Sequence, residues 1–223
     1  GFTDITEEAD VRGGAWAWGS EMADFDNDGD LDIYHVNGWP RSSLEYKDTP
    51  SKLFENIGDN TFEEIAAASG DAADFGQGRT VIAFDYDNDG DQDLFIANNC
   101  IAEGQGEIGE PFAYNPAPAV LLRNDTVNTH NYINIHLEGT SAPHHPNGLG
   151  ARVYLTTGEV VQMRELHASS GYLGHGPRRI AHFGLKEQSL IDSVRAVWSN
   201  GDETAQRNIP ANQSVTLRSE EHT

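Results

Sequence analysis

A nine-residue acidic segment that occurs twice constrains this chain more than any other feature. Asp24-Phe25-Asp26-Asn27-Asp28-Gly29-Asp30-Leu31-Asp32 returns 61 residues later as Asp85-Tyr86-Asp87-Asn88-Asp89-Gly90-Asp91-Gln92-Asp93. Five like charges at alternate positions repel one another at close range, so the segment cannot be held together by its own residues. A cation must sit among them. Glycine at the sixth position permits a tight turn that brings the side chains at positions one, three and five inward, and hard oxygen donors in that number suit Ca²⁺ better than Mg²⁺ or Zn²⁺. The expected ligands are the side chains of Asp24, Asp26, Asp28 and Asp32 with the main-chain carbonyl of Asp30, and likewise Asp85, Asp87, Asp89 and Asp93 with the carbonyl of Asp91. That makes two Ca²⁺ per chain. An EF-hand requires glutamate at position twelve, where this chain has His35 and Ile96, so the segment reads instead as a calcium loop joining the strands of a β-hairpin. A merely solvated acidic turn does not explain two copies with the same glycine.

The flanks repeat as well. Gly1-Phe2-Thr3-Asp4-Ile5-Thr6 returns as Asn60-Thr61-Phe62-Glu63-Glu64-Ile65, and Leu53-Phe54-Glu55-Asn56 returns loosely as Leu121-Leu122-Arg123-Asn124. A unit of about 60 residues built from short strands has the length of one four-stranded propeller blade. Alternation such as Asp32-Ile33-Tyr34-His35-Val36 predicts strands over residues 21–24, 32–36, 52–56 and 62–66, with second copies at 80–85, 93–97 and 119–124. Residues 100–118, with Pro111, Pro116 and Pro118, read as an irregular surface loop.

From Asn131 the texture changes. Acidic loops give way to alternating runs at residues 132–137, 151–155, 160–164 and 194–198, separated by Gly, Asn and Pro turns. This predicts a second, compact β-module. The expected organisation is residues 1–126 as two blades, 127–219 as the small β-domain and 220–223 as a tail. Composition limits the partners. With 14 Lys and Arg against 36 Asp and Glu, the formal charge of −22 argues against nucleic acid and anionic membrane surfaces, both of which need a basic face. No apolar run is long enough to insert into a bilayer. Cys100 is the single cysteine, so no internal disulfide marks the compartment. The chain starts at Gly1 without a methionine, which implies either a removed leader or a piece of something longer.

The acidic loop between strands, followed by Leu53-Phe54-Glu55-Asn56-Ile57-Gly58-Asp59-Asn60-Thr61-Phe62, resembles the FG-GAP (VCBS-type) repeats of integrin-like β-propellers. The second half carries Gly148-Leu149-Gly150-Ala151-Arg152-Val153, Ser170-Gly171-Tyr172-Leu173, His182-Phe183-Gly184-Leu185 and Val194-Arg195-Ala196-Val197-Trp198-Ser199-Asn200-Gly201. It resembles the ASPIC/UnbV module that follows such repeats in cartilage-acidic-protein-like proteins. The resemblance implies an all-β chain, a partial β-propeller of two blades with a C-terminal β-domain. Relatives carry about seven blades, so either this chain is the C-terminal part of a longer propeller or another chain supplies the missing partner. In the second case residues 2–6 are the exchanged or orphaned outer strand, and self-association runs through open sheet edges.

Other sites are less developed in the sequence. The seven histidines of residues 127–219 show no metal-ligand spacing. Trp16 and Trp18 share a strand face and read as core, whereas Trp39, before Pro40 in a loop, is a candidate stacking platform for a glycan. No nucleophile or acid–base pair presents itself, so the chain is read as a non-enzyme. The expected function is extracellular, calcium-dependent adhesion, scaffolding or self-assembly with protein partners. A carbohydrate-binding module is the alternative.

Overall fold

The structure, a computed structural model, describes residues 1–38, 49–103, 113–116, 118–126, 129–140, 144–168 and 179–219. Apart from two short 3-10 turns at Ala66–Ala68 and Gly70–Ala72, its regular elements are strands.

Each acidic repeat closes a hairpin. The first blade is an antiparallel sheet of β1 (Ala17–Ala23), β2 (Asp32–Asn37), β3 (Lys52–Asn56) and β4 (Phe62–Glu64), in that order. The second pairs β5 (Gly78–Phe84), β6 (Asp93–Asn98) and β9 (Val120–Leu122). Repetition reaches the backbone: the β1–β2 ladder has an irregularity between Ala17 and Gly19, and the β5–β6 ladder has one between Gly78 and Thr80. The apolar faces of the two blades meet. Tyr34, Val36 and Leu53 from the first and Val81, Ala83, Leu94 and Ile96 from the second are buried in one core. Burial of each large apolar side chain is worth roughly 1.5–3 kcal/mol. The connection between blades is tied down by the Tyr34 hydroxyl, which donates to the Ala72 carbonyl at 2.8 Å.

Three expectations are corrected here. Residues 2–6 form no strand. The segment instead closes turns on itself, with the amide of Ala9 donating to the Ile5 carbonyl at 2.8 Å and that of Val11 to Thr6 at 3.2 Å, and Phe2 is fully exposed. Beyond these turns the Ala9 carbonyl accepts the Phe62 amide at 3.0 Å, which joins the segment to the start of β4. Within residues 100–118 a ribbon forms, β7 (Cys100–Glu103) pairing antiparallel with β8 (Ala113–Pro116). Pro116 is tolerated because it ends its strand, where no amide has to be donated onward. Trp16 also departs from the core assignment: it precedes β1 and is half-exposed, while Trp18 packs on the blade core with the Arg79 guanidinium 4.6 Å from its ring centroid.

The C-terminal module is a two-sheet sandwich. One sheet has the order β13 (Ile180–Gly184), β10 (Tyr132–Glu138), β16 (Gln213–Arg218); the other runs β12 (Val160–Glu165), β11 (Arg152–Thr157), β14 (Leu190–Val197), β15 (Glu203–Pro210). The inward residues of both sheets, among them Ile133, Ile135, Val153, Leu155, Phe183, Val194 and Leu217, make a second core. Alternate burial along β11 and β14 is the period of two that the sequence shows. Parallel pairing of β10 with β16 closes the module end to end.

Candidate calcium centres

The two acidic segments take the same path. Both bridge the inner hairpin of a blade, from β1 to β2 and from β5 to β6. Position four is left-handed in each, Asn27 at φ 61° and Asn88 at φ 64°, as is position six, Gly29 at 94° and Gly90 at 103°. Asparagine tolerates that region and glycine enters it freely. The resulting turn directs amides inward. Asp28 N donates to Asp24 Oδ1 at 3.0 Å and to Asp26 Oδ1 at 3.1 Å, Gly29 N to Asp24 Oδ2 at 2.8 Å, and Asp30 N to Asp28 Oδ1 at 2.8 Å. In the second loop Gly90 N donates to Asp85 Oδ2 at 3.2 Å and Asp91 N to Asp89 Oδ1 at 3.1 Å.

Positions one, three and five converge in both copies. Ligand atoms of Asp24, Asp26 and Asp28 lie within 4.8 Å of one another, and so do those of Asp85, Asp87 and Asp89. Position nine stands outside these trios. Asp32 accepts the amides of Phe25 at 2.9 Å and Asn56 at 2.8 Å, one on each carboxylate oxygen; Asp93 accepts those of Tyr86 at 2.9 Å and Asn124 at 2.8 Å. This residue closes the loop onto the end of the third strand. The side chains of position seven point elsewhere: Asp91 Oδ1 accepts from Asn27 Nδ2 at 2.7 Å, and Asp30 Oδ2 lies 3.9 Å from the Lys186 ammonium. Trp39 falls outside the described residues.

The charge pattern fits a hard divalent cation. Burial, reinforced by Asp26 and Asp28, pushes Asp24 up to about 7, and burial likewise pushes Asp32 up to about 7. Asp91 rises to about 6 through burial and the charges of Asp89, Asp93 and Asp85. Asp26, Asp85 and Asp93 are raised too, burial being the leading cause. Such carboxylates are costly to hold ionised without a cation. Oxygen-only donors at these positions suit Ca²⁺, and calcium would supply the charge that relieves this repulsion.

Several site residues were not foreseen. Asn56 and Asn124 end the third strands and brace their loops, donating through Nδ2 to Leu31 O at 3.3 Å and Gln92 O at 3.2 Å; their recurrence in the repeat was the available signal. Asn124 Nδ2 also reaches Phe25 O in the other loop at 2.6 Å. The C-terminal module touches the first loop directly. Gly184 N donates to Asp24 Oδ2 at 3.1 Å, Lys186 N to Asn27 O at 2.9 Å, and the Lys186 ammonium lies 3.3 Å from Asp28 Oδ2. Burial works against the Lys186 charge, yet Asp28, Asp30 and Asp26 hold its pKa above the ordinary value. His130 Nδ1 is 2.8 Å from Asp26 O, and His182 Nε2 is 2.8 Å from Asn27 Oδ1. Asn27 Nδ2 donates to Asp91 Oδ1 and Gly90 O, and its Oδ1 can only accept, so His182 Nε2 is the donor in that pair. Burial, then the Arg164 charge, pushes His182 down to about 3, so the ring is neutral. Only glycine fits at position 184, since a Cβ there would collide with the Asp24 carboxylate and the Asn27 backbone.

Comparison with known proteins matches two separate parts of the chain. Residues 43–96, from before β3 through the second acidic loop into β6, match the family described as FG-GAP-like repeat. Residues 140–223 match the family described as ASPIC and UnbV. Cartilage acidic protein 1 of Homo sapiens is 30% identical over 188 residues, which are 80% of this chain and 24% of that protein. The chain therefore spans about a quarter of the length of this relative. In this order the chain joins a segment similar to FG-GAP-like repeats to one similar to the ASPIC and UnbV domain.

Proposed function

We propose that the chain is a calcium-stabilised extracellular module for adhesion or scaffolding, with one structural Ca²⁺ in each acidic loop and no catalytic role. The observation that carries this reading is the convergence, twice, of three carboxylates within 4.8 Å in loops of the same conformation. The proposed donors are Asp24, Asp26 and Asp28 with Asp30 and Asp32, and Asp85, Asp87 and Asp89 with Asp91 and Asp93. An extracellular setting is supported by millimolar calcium outside cells, which fills even modest sites, and by the name of the cartilage relative. Among the described residues no helix is long and apolar enough to cross a membrane.

Partners are proposed to bind at sheet edges. In the second blade β9 is an outer strand whose Leu121 is exposed beside an exposed Phe95, and in the sandwich the outer strand β12 exposes Val160, Val161 and Met163. Unpaired edges with apolar side chains favour strand addition by a partner or a second copy. The glycan reading rests on Trp39, and no geometric observation favours it. The test is calcium stoichiometry by equilibrium dialysis with elemental analysis: two ions per chain are expected, and none would refute the reading.

A further inference from the structure

The two acidic loops differ in surroundings although they match in sequence. In the second, Asp87 and Asp89 are exposed. The first is packed between the blades and the C-terminal domain, and beside it a cleft of about 960 Å³ separates strands β1 and β5 from β10 and β12. The contacts onto this loop fall on its proposed donors or on the residue between them. Gly184 N shares the Asp24 oxygen that also takes Gly29 N, His130 holds the Asp26 carbonyl, His182 and Lys186 N hold Asn27, and the Lys186 ammonium faces Asp28. Every residue at positions one, three and five is thus oriented in part by another domain.

We propose that the first calcium site is built across two domains: the C-terminal module is part of it through His130, His182, Gly184 and Lys186, and filling the site locks that module onto the blades. The second site meets that module at Gly90, against which the Tyr132 ring packs, while its proposed donors Asp87 and Asp89 are exposed. This rests on the calcium reading above. Its physical basis is reciprocity. The hydrogen bonds from His130, His182, Gly184 N and Lys186 N that hold the loop in the binding geometry raise calcium affinity, and calcium must then strengthen those bonds by the same factor. The Lys186 ammonium, by contrast, competes with the ion for Asp28 and gives up that contact when the site fills. The ordering is also shared, because a loop already fixed by the domain has less freedom to lose on taking up the ion.

Hydrogen exchange of the full chain tests it, read by mass spectrometry on the segment covering residues 180–186, where the Gly184 and Lys186 amides bond to the first loop. Saturating calcium is expected to slow exchange there at least tenfold in the unsubstituted chain and in Asp89→Asn, and to leave Asp28→Asn unchanged. Equal slowing in Asp28→Asn, or loss of the slowing in Asp89→Asn, overturns the proposal. Should a substituted chain fail to fold, titration of the unsubstituted chain decides. Protection of residues 180–186 must follow the filling of one site and be complete before or after that of the other, and protection that follows both sites equally overturns the proposal. A chain that binds two ions without any slowing defeats the two-domain site alone, whereas a chain that binds none defeats the calcium reading first.

Discussion

Within each loop, aspartates identical in the sequence have separate physical tasks. Asp28 is a half-buried member of the converging trio, whereas Asp32 is buried and saturates two backbone amides. Asp32→Ala leaves both amides without their acceptor, so it should lower stability by about 2–3 kcal/mol even without calcium. Asp28→Ala should instead cost calcium affinity at its own site and change the calcium-free melting temperature little. Denaturant melts in calcium-free buffer separate the two. The raised carboxylates also set a pH dependence. In the calcium-free fold Asp24 and Asp32 hold protons up to about pH 7, against an ordinary value of 3.8. The folded chain then binds more protons than the unfolded one between these values, and stability is lost as pH rises through 7. His182 works the other way, since it stays neutral down to about 3 against an ordinary 6.5 and so opposes folding only below 6.5. Calcium-stripped protein should therefore gain stability from pH 8 to 6.5, and calcium affinity should fall over the same interval because the ion must displace those protons. Melting temperatures across this range, with and without calcium, check both slopes.

Strands and loops show where sequence information sufficed. The sequence pattern placed β2, β3 and β6 almost to the residue, because Tyr34 and Val36, Leu53, and Leu94 and Ile96 are the apolar positions of these strands that enter the blade core. Residues 2–6 failed for the same reason in reverse. Likeness to the strand at Phe62 is local, but a strand needs a neighbour, and among the described residues no strand pairs with residues 2–6. The trios were legible from spacing alone, whereas the bracing by Asn56 and Asn124 required knowing that the third strand ends beside its loop. Asn124 serves both loops at once through Phe25 O and Gln92 O, and Asn56 serves one. Asn124→Ala should accordingly destabilise the chain more than Asn56→Ala, by about 1–3 kcal/mol against about 1. Chemical denaturation of the two variants in calcium gives the comparison.

At the scale of the molecule, two cores are joined at a corner made of carboxylates, and this was not legible in advance. Nothing in His182-Phe183-Gly184 indicates that its partner lies some 155 residues earlier at Asn27, because contacts between domains leave no periodic mark on either. Open edges add a second property. Leu121→Lys and Val161→Lys place charge on outer strands without touching a core, so each should weaken self-association with little loss of stability, as sedimentation velocity would record. The central claim is that calcium holds this acidic chain in its fold. If each site is filled at roughly 100 times its dissociation constant, linkage contributes about 2.7 kcal/mol per ion. For two sites in a chain of this size that corresponds to a rise in melting temperature of roughly 10–20 °C. The most direct test is a thermal melt in millimolar calcium and again after chelation, on protein whose bound calcium has been counted. Two ions per chain and a fall of that size on chelation are predicted; the same melting temperature in both conditions would contradict the account.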